Sequence, residues 1–176
     1  KYSYLSEQWF EDLFEDRFLM LTVGTFDIEI VEDWVYDDVT FTEMPINLHS
    51  KLRIIDDRYV SVGSCNFNNR GLLYEGEMDF AVLDEDFATE SRERVFENLV
   101  GPEYAGWLTG DVATDMALMA DLARYNREVA DYWTEWDYYY DDADEAWADW
   151  NASHPSGFLL PLDFSDDYIE VGPDLF

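Results

Sequence analysis

The stretch NLHSKLRIIDDRYVSVGSCNFNNRG, residues 47–71, decides the fold of the central part of the chain and contains its most specific chemistry. The segments KLRII (51–55) and YVSVGS (59–64) are rich in β-branched residues and predict two strands. The DDR between them begins with two Asp residues, which favour turns, so we predict a hairpin. His49 and Lys51 are two positions apart, and side chains at this spacing on a strand point to the same face.

The residue types in this stretch suit the binding of an anion and attack on it. A neutral imidazole beside a lysine ammonium suggests a nucleophile next to a cation that binds phosphate. At the end of the second strand, Gly63 permits a close backbone approach, while Ser64 and Asn66 add neutral hydrogen-bond donors. Asp56 follows the first strand and begins the turn. The pattern predicts a phosphate-binding site with a histidine nucleophile.

The spacing H-x-K-x4-D-x6-G-S-x-N, which begins at His49, resembles the HKD motif of the phospholipase D superfamily. Asn68 and Arg70 resemble the N-x-N-x-R extension of lipid-acting members, and EGEMDFAVLD (75–84) resembles the acidic strand that follows it. The resemblance covers residues 46 to about 100. It implies an α/β fold, the phospholipase D half-domain, in which helices flank a mixed β-sheet and His49 lies on a strand near the centre of that sheet.

The resemblance also implies a role for each matching residue. His49 would attack phosphorus and form a phosphohistidine, with Lys51 and Asn66 holding the phosphoryl oxygens and Ser64 assisting. Glu77 would accept a hydrogen bond from the His49 ring and select its tautomer. The family performs this chemistry without a metal, so we expect no metal site and no cofactor.

Some assignments stay open at the level of sequence. Glu75 and Asp79 are alternatives to Glu77, because all three share a face if the strand begins near residue 75. Asp56 belongs to the catalytic motif, and we expect it to hold the turn near the site rather than to take part in chemistry. Arg70 is assigned either to a lipid headgroup phosphate or to one of the many surface carboxylates.

The predicted activity is that of a phosphodiesterase or phosphatidyltransferase acting on phospholipids, since the N-x-N-x-R…E spacing resembles cardiolipin-synthase-like and phospholipase members. One alternative is a nuclease of the same superfamily. Another is a non-catalytic domain that binds headgroups or a partner protein. The predicted activity on phospholipids implies a phospholipid substrate and peripheral contact with a membrane. Localisation stays open between the cytoplasm and the membrane periphery, because no run of 18 apolar residues is present.

The family builds one active site from two HKD motifs, and this chain contains one. The other histidine, His154, has no Lys two positions later and precedes a proline, so we expect it in a surface loop. The second motif then comes from a missing N-terminal half or from a second copy in a homodimer. We favour the missing half, because only 48 residues precede His49 and the chain begins without Met.

The charge of the chain is strongly acidic, with 41 acidic and 10 basic residues and a formal net charge of −31. Asp accounts for 24 of the acids, and only two residues are Lys, a composition typical of halophilic proteins. In molar salt the Debye length falls to about 3 Å, which removes most of the self-repulsion. An acidic surface without a basic run also makes nucleic acid a disfavoured partner.

The remaining segments predict a globular α/β protein, given a hydrophobic content of 48%. We expect one catalytic half-domain over 1–176, with a core at about 20–110 and a helical and irregular extension at 111–176. The Trp-rich segment 132–150 is either a lipid-facing helix or, as we favour, a helix packed on the domain. Cys65 is predicted to be a buried residue that packs in the core.

The pattern predicts five further elements. They are a helix at 5–21 ended by Gly24, a strand with one solvent-exposed face at 26–36, a helix at 84–101, helices at 111–150 and an extended or irregular tail at 157–176.

Overall fold

The structure is a computed structural model that describes residues 19–32, 35, 38–66, 69–135 and 143–162, with the backbone alone for Asn69 and Arg70. The described chain forms two compact units, one made of residues 48–96 and the other of residues 19–47 and 97–162. The elements in chain order are β1 (Leu21–Val31), β2 (Asp38–Pro45), β3 (Lys51–Ile55), β4 (Tyr59–Gly63), α1 (Asn69–Leu73), β5 (Asp79–Leu83), α2 (Glu85–Val100), a 3₁₀ turn (Ala105–Trp107), α3 (Val112–Glu135), α4 (Ala143–Ala152) and β6 (Leu159–Pro161).

The unit of residues 48–96 contains the motif on an antiparallel sheet with the order β3-β4-β5. The predicted hairpin is confirmed: the N–H of Arg58 donates to the oxygen of Ile55 at 3.0 Å and closes the turn. Asp56 and Asp57 at the centre of this turn have φ values of 54° and 49°. Turns of this hand match the twist of paired strands, and Asp tolerates positive φ better than most residues do.

The alternation of side chains gives this sheet two different faces. One face is apolar throughout, and the other holds the charged and polar residues around Lys51. Lys51, Arg53, Ser61 and Asp79 therefore project from the same side of the sheet. The apolar face consists of Leu52, Ile54, Val60, Val62, Phe80 and Val82.

The other unit packs α3 and α4 against an antiparallel sheet with the order β2-β1-β6. Its core contains Ile28, Val129, Trp133 and Ala146, and each of these side chains is buried. Asn126 is fully buried, and its amide donates to the backbone oxygens of Ser156 and Leu159, both at 2.8 Å. Because a buried amide is costly unless it is bonded, this side chain fixes the approach of β6 to α3.

Several predicted elements are confirmed with small shifts in their ends. The strands β3, β4 and β5 lie where the sequence predicted them, and α2 occupies residues 85–100 of the predicted helix at 84–101. Gly101 follows α2 with a φ of 80°, as expected of a residue that ends a helix. The strand predicted at 26–36 is confirmed for 26–31, where acidic residues point outward on either side of buried Ile28.

Other predictions are wrong or fall outside the described residues. Residues 19–20 are not helical, Leu21 begins β1, and Gly24 lies inside that strand rather than ending a helix. The sequence predictions do not include β2, which is stabilised by antiparallel pairing with β1, the strand directly before it in the chain. The remaining predicted positions at 5–18, 33–34, 36, 136–142 and 163–176 lie outside the described residues.

The α/β class is confirmed, although the described strands form two antiparallel sheets rather than one mixed sheet. Within the second unit, α3 packs against β1 and β2, and β6 pairs with β1. Within the Trp-rich segment, Trp133 is 3% exposed and its ring meets that of Trp150 at 5.4 Å. For these two residues the packed arrangement is confirmed.

Candidate active site

The chain places Lys51, Gly63 and Asp79 in one row across the three strands of the motif-bearing sheet. The row lies at the end of the β3–β4 hairpin opposite the turn. Lys51 is partly buried, and its ammonium donates to the backbone oxygen of His49 at 2.7 Å. A lysine ammonium has three donors, so the head group retains capacity for a further acceptor.

His49 lies in the segment that leads into β3 and is exposed. The prediction that it sits on a strand near the centre of the sheet is wrong, because β3 begins at Lys51 and is at the end of the strand order. Pairing of β3 with β4 stops at Gly63, after which the N–H of Ser64 donates to the oxygen of Met78 at 3.1 Å. Beyond Gly63 the chain thus pairs with the segment before β5, and none of the described strands pairs with His49.

The hydroxyl of Ser64 makes two further contacts with the segment before β5. It donates to a carboxylate oxygen of Glu77 and accepts the N–H of Met78 at 3.2 Å. The structure therefore brings together two of the predicted site residues, Ser64 and Glu77. The predicted bond from the His49 ring to Glu77 stays a prediction, and a carboxylate has further lone pairs that can accept it.

Asp79, an alternative to Glu77, is occupied by a different partner. One of its oxygens accepts a hydrogen bond from Arg53 at 2.7 Å, and the other accepts the N–H of Cys65 at 3.2 Å. The hydrogen bond from Arg53 holds the pKa of Asp79 below its usual value, and the backbone N–H of Cys65 acts in the same direction. Of the three acids proposed to accept a hydrogen bond from the His49 ring, Asp79 is instead paired with Arg53.

Arg53 is a residue that sequence reasoning did not select. Its guanidinium reaches Asp79 with one nitrogen and the backbone oxygen of Cys65 with the other. The carboxylate of Asp79 raises the pKa of Arg53 above its ordinary value, chiefly through this hydrogen bond. The available signal was an arginine inside a strand, two positions after Lys51, in a chain with only 10 basic residues.

At Gly63, atoms of Met78 and Asp79 occupy the space that a side chain would need. A Cβ at this position would lie 2.0 Å from the Oδ1 atom of Asp79 and 2.3 Å from the oxygen of Met78. No side chain fits at these distances. The predicted close approach at Gly63 is therefore observed, and the approaching groups are the carboxylate of Asp79 and the backbone oxygen of Met78.

Asp56 is the predicted site residue that the structure separates from the end of the hairpin bearing Lys51. Asp56 lies at the turn, five residue steps of about 3.3 Å beyond Lys51, so it is distant from this end of the hairpin. Asn66 and Glu75 are exposed. Asn68 and the side chain of Arg70 lie outside the described residues.

The second histidine is packed more closely than predicted. His154 lies in a loop, as expected, but its Nδ1 atom is 2.9 Å from the oxygen of Trp150 and its ring stacks on that indole. Its Nε2 atom is 3.6 Å from a carboxylate oxygen of Glu103. Cys65 is buried at 8% exposure, in agreement with a packing role.

Two features are absent from the described residues, a cluster of metal ligands and a membrane-spanning helix. Among those residues, no three side chains of His, Cys, Asp or Glu lie together as ligands for a metal ion. The same part of the chain contains no helix with the length and apolar character needed to cross a bilayer.

This α/β protein thus carries the ammonium of Lys51, the hydroxyl of Ser64 and the exposed imidazole of His49 at one end of an antiparallel sheet. Residues 29–100 match the family model described as "Cardiolipin synthase, PLD-like domain". Over these residues, this match and the relatives below support a relationship to the phospholipase D superfamily.

The relatives are similar over short segments. Phospholipase D A of Dictyostelium discoideum is 45% identical over 47 residues, which are 27% of this chain and 4% of that protein. Phospholipase D2 of Bos taurus is 49% identical over 45 residues, 26% of this chain and 5% of that protein. Phospholipase D zeta 2 of Arabidopsis thaliana is 38% identical over 52 residues, 30% of this chain and 5% of that protein. The matched segments thus span 5% or less of these relatives' length.

Proposed function

We propose that this chain carries half of a phospholipid phosphodiesterase or phosphatidyltransferase that acts through a phosphohistidine on His49 and needs no metal. The observation that carries the proposal is the placement of Lys51 and Ser64 at the same end of the hairpin as His49. A cation and a hydroxyl beside an imidazole are suited to a phosphate diester. The names of the relatives, all phospholipases D, favour a phospholipid over other diesters.

In the proposed first step, a ring nitrogen of His49 forms a bond to phosphorus. The ester bond from phosphorus to the leaving oxygen breaks, and Lys51 and Asn66 hold the phosphoryl oxygens. Ser64 assists by turning its hydroxyl from Glu77 toward the phosphate. Glu77 accepts the other ring N–H and so keeps the attacking nitrogen unprotonated. The leaving oxygen takes a proton from an acid, which we assign to the histidine of a second HKD motif.

In the second step, water or an alcohol attacks the phosphohistidine. The nitrogen–phosphorus bond breaks, and the attacking oxygen passes its proton to the second histidine, which returns to its initial state. Water gives hydrolysis and an alcohol gives phosphatidyl transfer. The second motif is supplied by another half-domain or by a second copy of this chain, and both sources complete the same chemistry.

The test uses the complete gene product in molar salt with phospholipid vesicles and a primary alcohol. Mass spectrometry of the lipids should show the alcohol-exchanged phospholipid with the natural sequence. We expect His49→Ala to lose essentially all product, because the nucleophile is removed, with an unchanged melting temperature. The matched control is His154→Ala, which removes the other histidine and should retain turnover.

Each alternative outcome has a definite meaning. Full turnover in His49→Ala would show that His49 is not the nucleophile. Cleavage of DNA in place of lipid, with dependence on His49, would assign the chain to the nuclease alternative. Binding of vesicles without turnover of lipid or DNA would favour the non-catalytic headgroup-binding domain.

A further inference from the structure

The pair formed by Arg53 and Asp79 lies across β4 beside the Ser64–Cys65–Asn66 segment. We infer that Arg53 is a positioning residue which, through Asp79 and the peptide groups of Cys65, holds this segment in the conformation that binds phosphate. The inference rests on the proposed function for its catalytic consequence. Its structural part, the clamping of the segment, is testable without any substrate.

The first support is that the pair engages both hydrogen-bonding groups of one residue. The N–H of Cys65 donates to Oδ1 of Asp79 at 3.2 Å, and the backbone oxygen of Cys65 accepts from Nη2 of Arg53. The two side chains are themselves joined at 2.7 Å. Because Cys65 separates Ser64 from Asn66, fixing its backbone orients the donors on either side of it.

The second support is the shape of the strand beneath the pair. Arg53 lies opposite Ser61, and Asp79 lies opposite Gly63, so the ion pair crosses β4 diagonally. The absent side chain at Gly63 leaves room for the carboxylate, since a Cβ there would lie 2.0 Å from Oδ1 of Asp79. Ser61 lies under the guanidinium, with its hydroxyl 3.4 Å from Nη1. The strand is thus shaped to receive the pair.

The third support is the chemistry of the guanidinium. Arg53 uses Nη1 for Asp79 and Nη2 for Cys65 at the same time. A lysine ammonium is a single point donor and cannot reproduce the two directions of this fork. We therefore expect Arg53→Lys to retain the pair with Asp79 but only part of the hold on Cys65.

The same unit offers a matched control in a second arginine–aspartate pair. Arg92 on α2 donates to both oxygens of Asp57, at 2.8 and 3.1 Å. Asp57 lies in the β3–β4 turn, at the end of the hairpin away from Lys51. Loss of Arg92 therefore removes an ion pair of the same kind without touching the Ser64–Cys65–Asn66 segment.

The experiment compares Arg53→Met, Arg53→Lys and Arg92→Met in the complete gene product in molar salt. It measures the melting temperature, amide hydrogen exchange of the Cys65 segment, and kcat and KM for phospholipid vesicles. We expect Arg53→Met to speed exchange at Cys65 and to lower kcat about 10- to 100-fold with a smaller change in KM. Arg53→Lys should recover part of the kcat, and Arg92→Met should lower the melting temperature alone.

The outcomes separate this inference from the proposed function. Unchanged exchange at Cys65 in Arg53→Met overturns the inference, and so does faster exchange with the natural kcat. In both cases the function stands if His49→Ala is inactive. If the natural sequence turns over no lipid, the proposed function and the catalytic role of Arg53 fail together, while the exchange data still decide whether the pair clamps the segment.

A second variant covers the case in which Arg53→Met does not fold. Asp79→Asn removes the charge of the partner but retains its shape. The double variant Arg53→Lys with Asp79→Asn should lose no more kcat than the more impaired single variant, because both changes break one unit. Additive losses would mean that the two side chains act separately and would overturn the inference.

Discussion

Glu77 and Asp79 are two positions apart, yet the structure gives them different partners. Glu77 accepts from the Ser64 hydroxyl, and Asp79 accepts from Arg53 and from the N–H of Cys65. The sequence alone cannot make this distinction, because both acids point to the same face of a strand. The position of Arg53 distinguishes the two acids, because its guanidinium, whose side chain is 22% exposed, pairs with Asp79.

The contribution of Asp79 to stability should depend on pH in a defined direction. Its pKa is lowered in the folded state, so its stabilising effect is complete above about pH 4, the ordinary pKa of Asp. The effect is lost as the pH falls through the lower, folded pKa. We expect the difference in melting temperature between the natural sequence and Asp79→Asn to shrink as the solution is acidified from pH 6 to below 4. The measurement is thermal unfolding at constant molar salt.

Asp56→Asn is the control for this experiment. It removes one carboxylate from the same unit, at the other end of the hairpin, and Asn tolerates the positive φ at this position. A difference for Asp79→Asn that stays constant from pH 6 to pH 2, or that follows the Asp56→Asn difference throughout, would contradict the role given to the ion pair with Arg53.

At the scale of the element, the β4–β5 pairing explains why the motif includes a glycine. The pairing of Gly63 with Asp79 brings the carboxylate and the backbone of β5 over the α-carbon of Gly63. Glycine normally destabilises a strand, because its backbone loses more conformational entropy on folding than that of other residues. Here the absence of a side chain leaves room for the Asp79 carboxylate while the pairing of β4 with β5 is retained.

We therefore expect Gly63→Ala to destabilise the fold by about 1–3 kcal/mol, the usual cost of forcing extra atoms into a packed position. The added Cβ would meet the oxygen of Met78, a backbone atom that cannot move without opening the pairing. Denaturant unfolding measures the change. Gly76→Ala is the matched control, because nothing lies within 4 Å of a Cβ at that glycine. Equal stability of the two variants would refute the close packing at Gly63.

At the scale of the whole molecule, net charge is the dominant physical feature. A formal charge of −31 over 176 residues opposes compaction in dilute buffer. The described ion pairs offset a small part of it, because only 10 basic residues are present to pair with 41 acids. The remaining repulsion is long-range and responds to ionic strength, unlike the packing of the core.

We expect the melting temperature to rise steeply as NaCl increases from about 0.05 M, where the Debye length exceeds 10 Å, to about 1 M, where it is near 3 Å. Sucrose at matched osmolality is the control, since an excluded osmolyte favours burial without screening charge. A melting temperature that is insensitive to NaCl, or that rises equally with sucrose, would contradict a halophilic role for the acidic surface.

The sequence by itself determined the α/β class, the β3–β4 hairpin, the following strand and helix, and the phospholipase D resemblance. These features depend on local patterns: β-branched runs, a two-Asp turn, and residue types at a constant spacing. The tertiary structure alone decided that β2 exists, that α3 and β6 group with β1, and that Asp79 pairs with Arg53. The grouping of α3 and β6 with β1, and the pairing of Asp79 with Arg53, depend on contacts between segments far apart in the chain, whereas β2 depends on pairing with the neighbouring strand β1. Neither kind of contact leaves a period or spacing in the sequence that could reveal it.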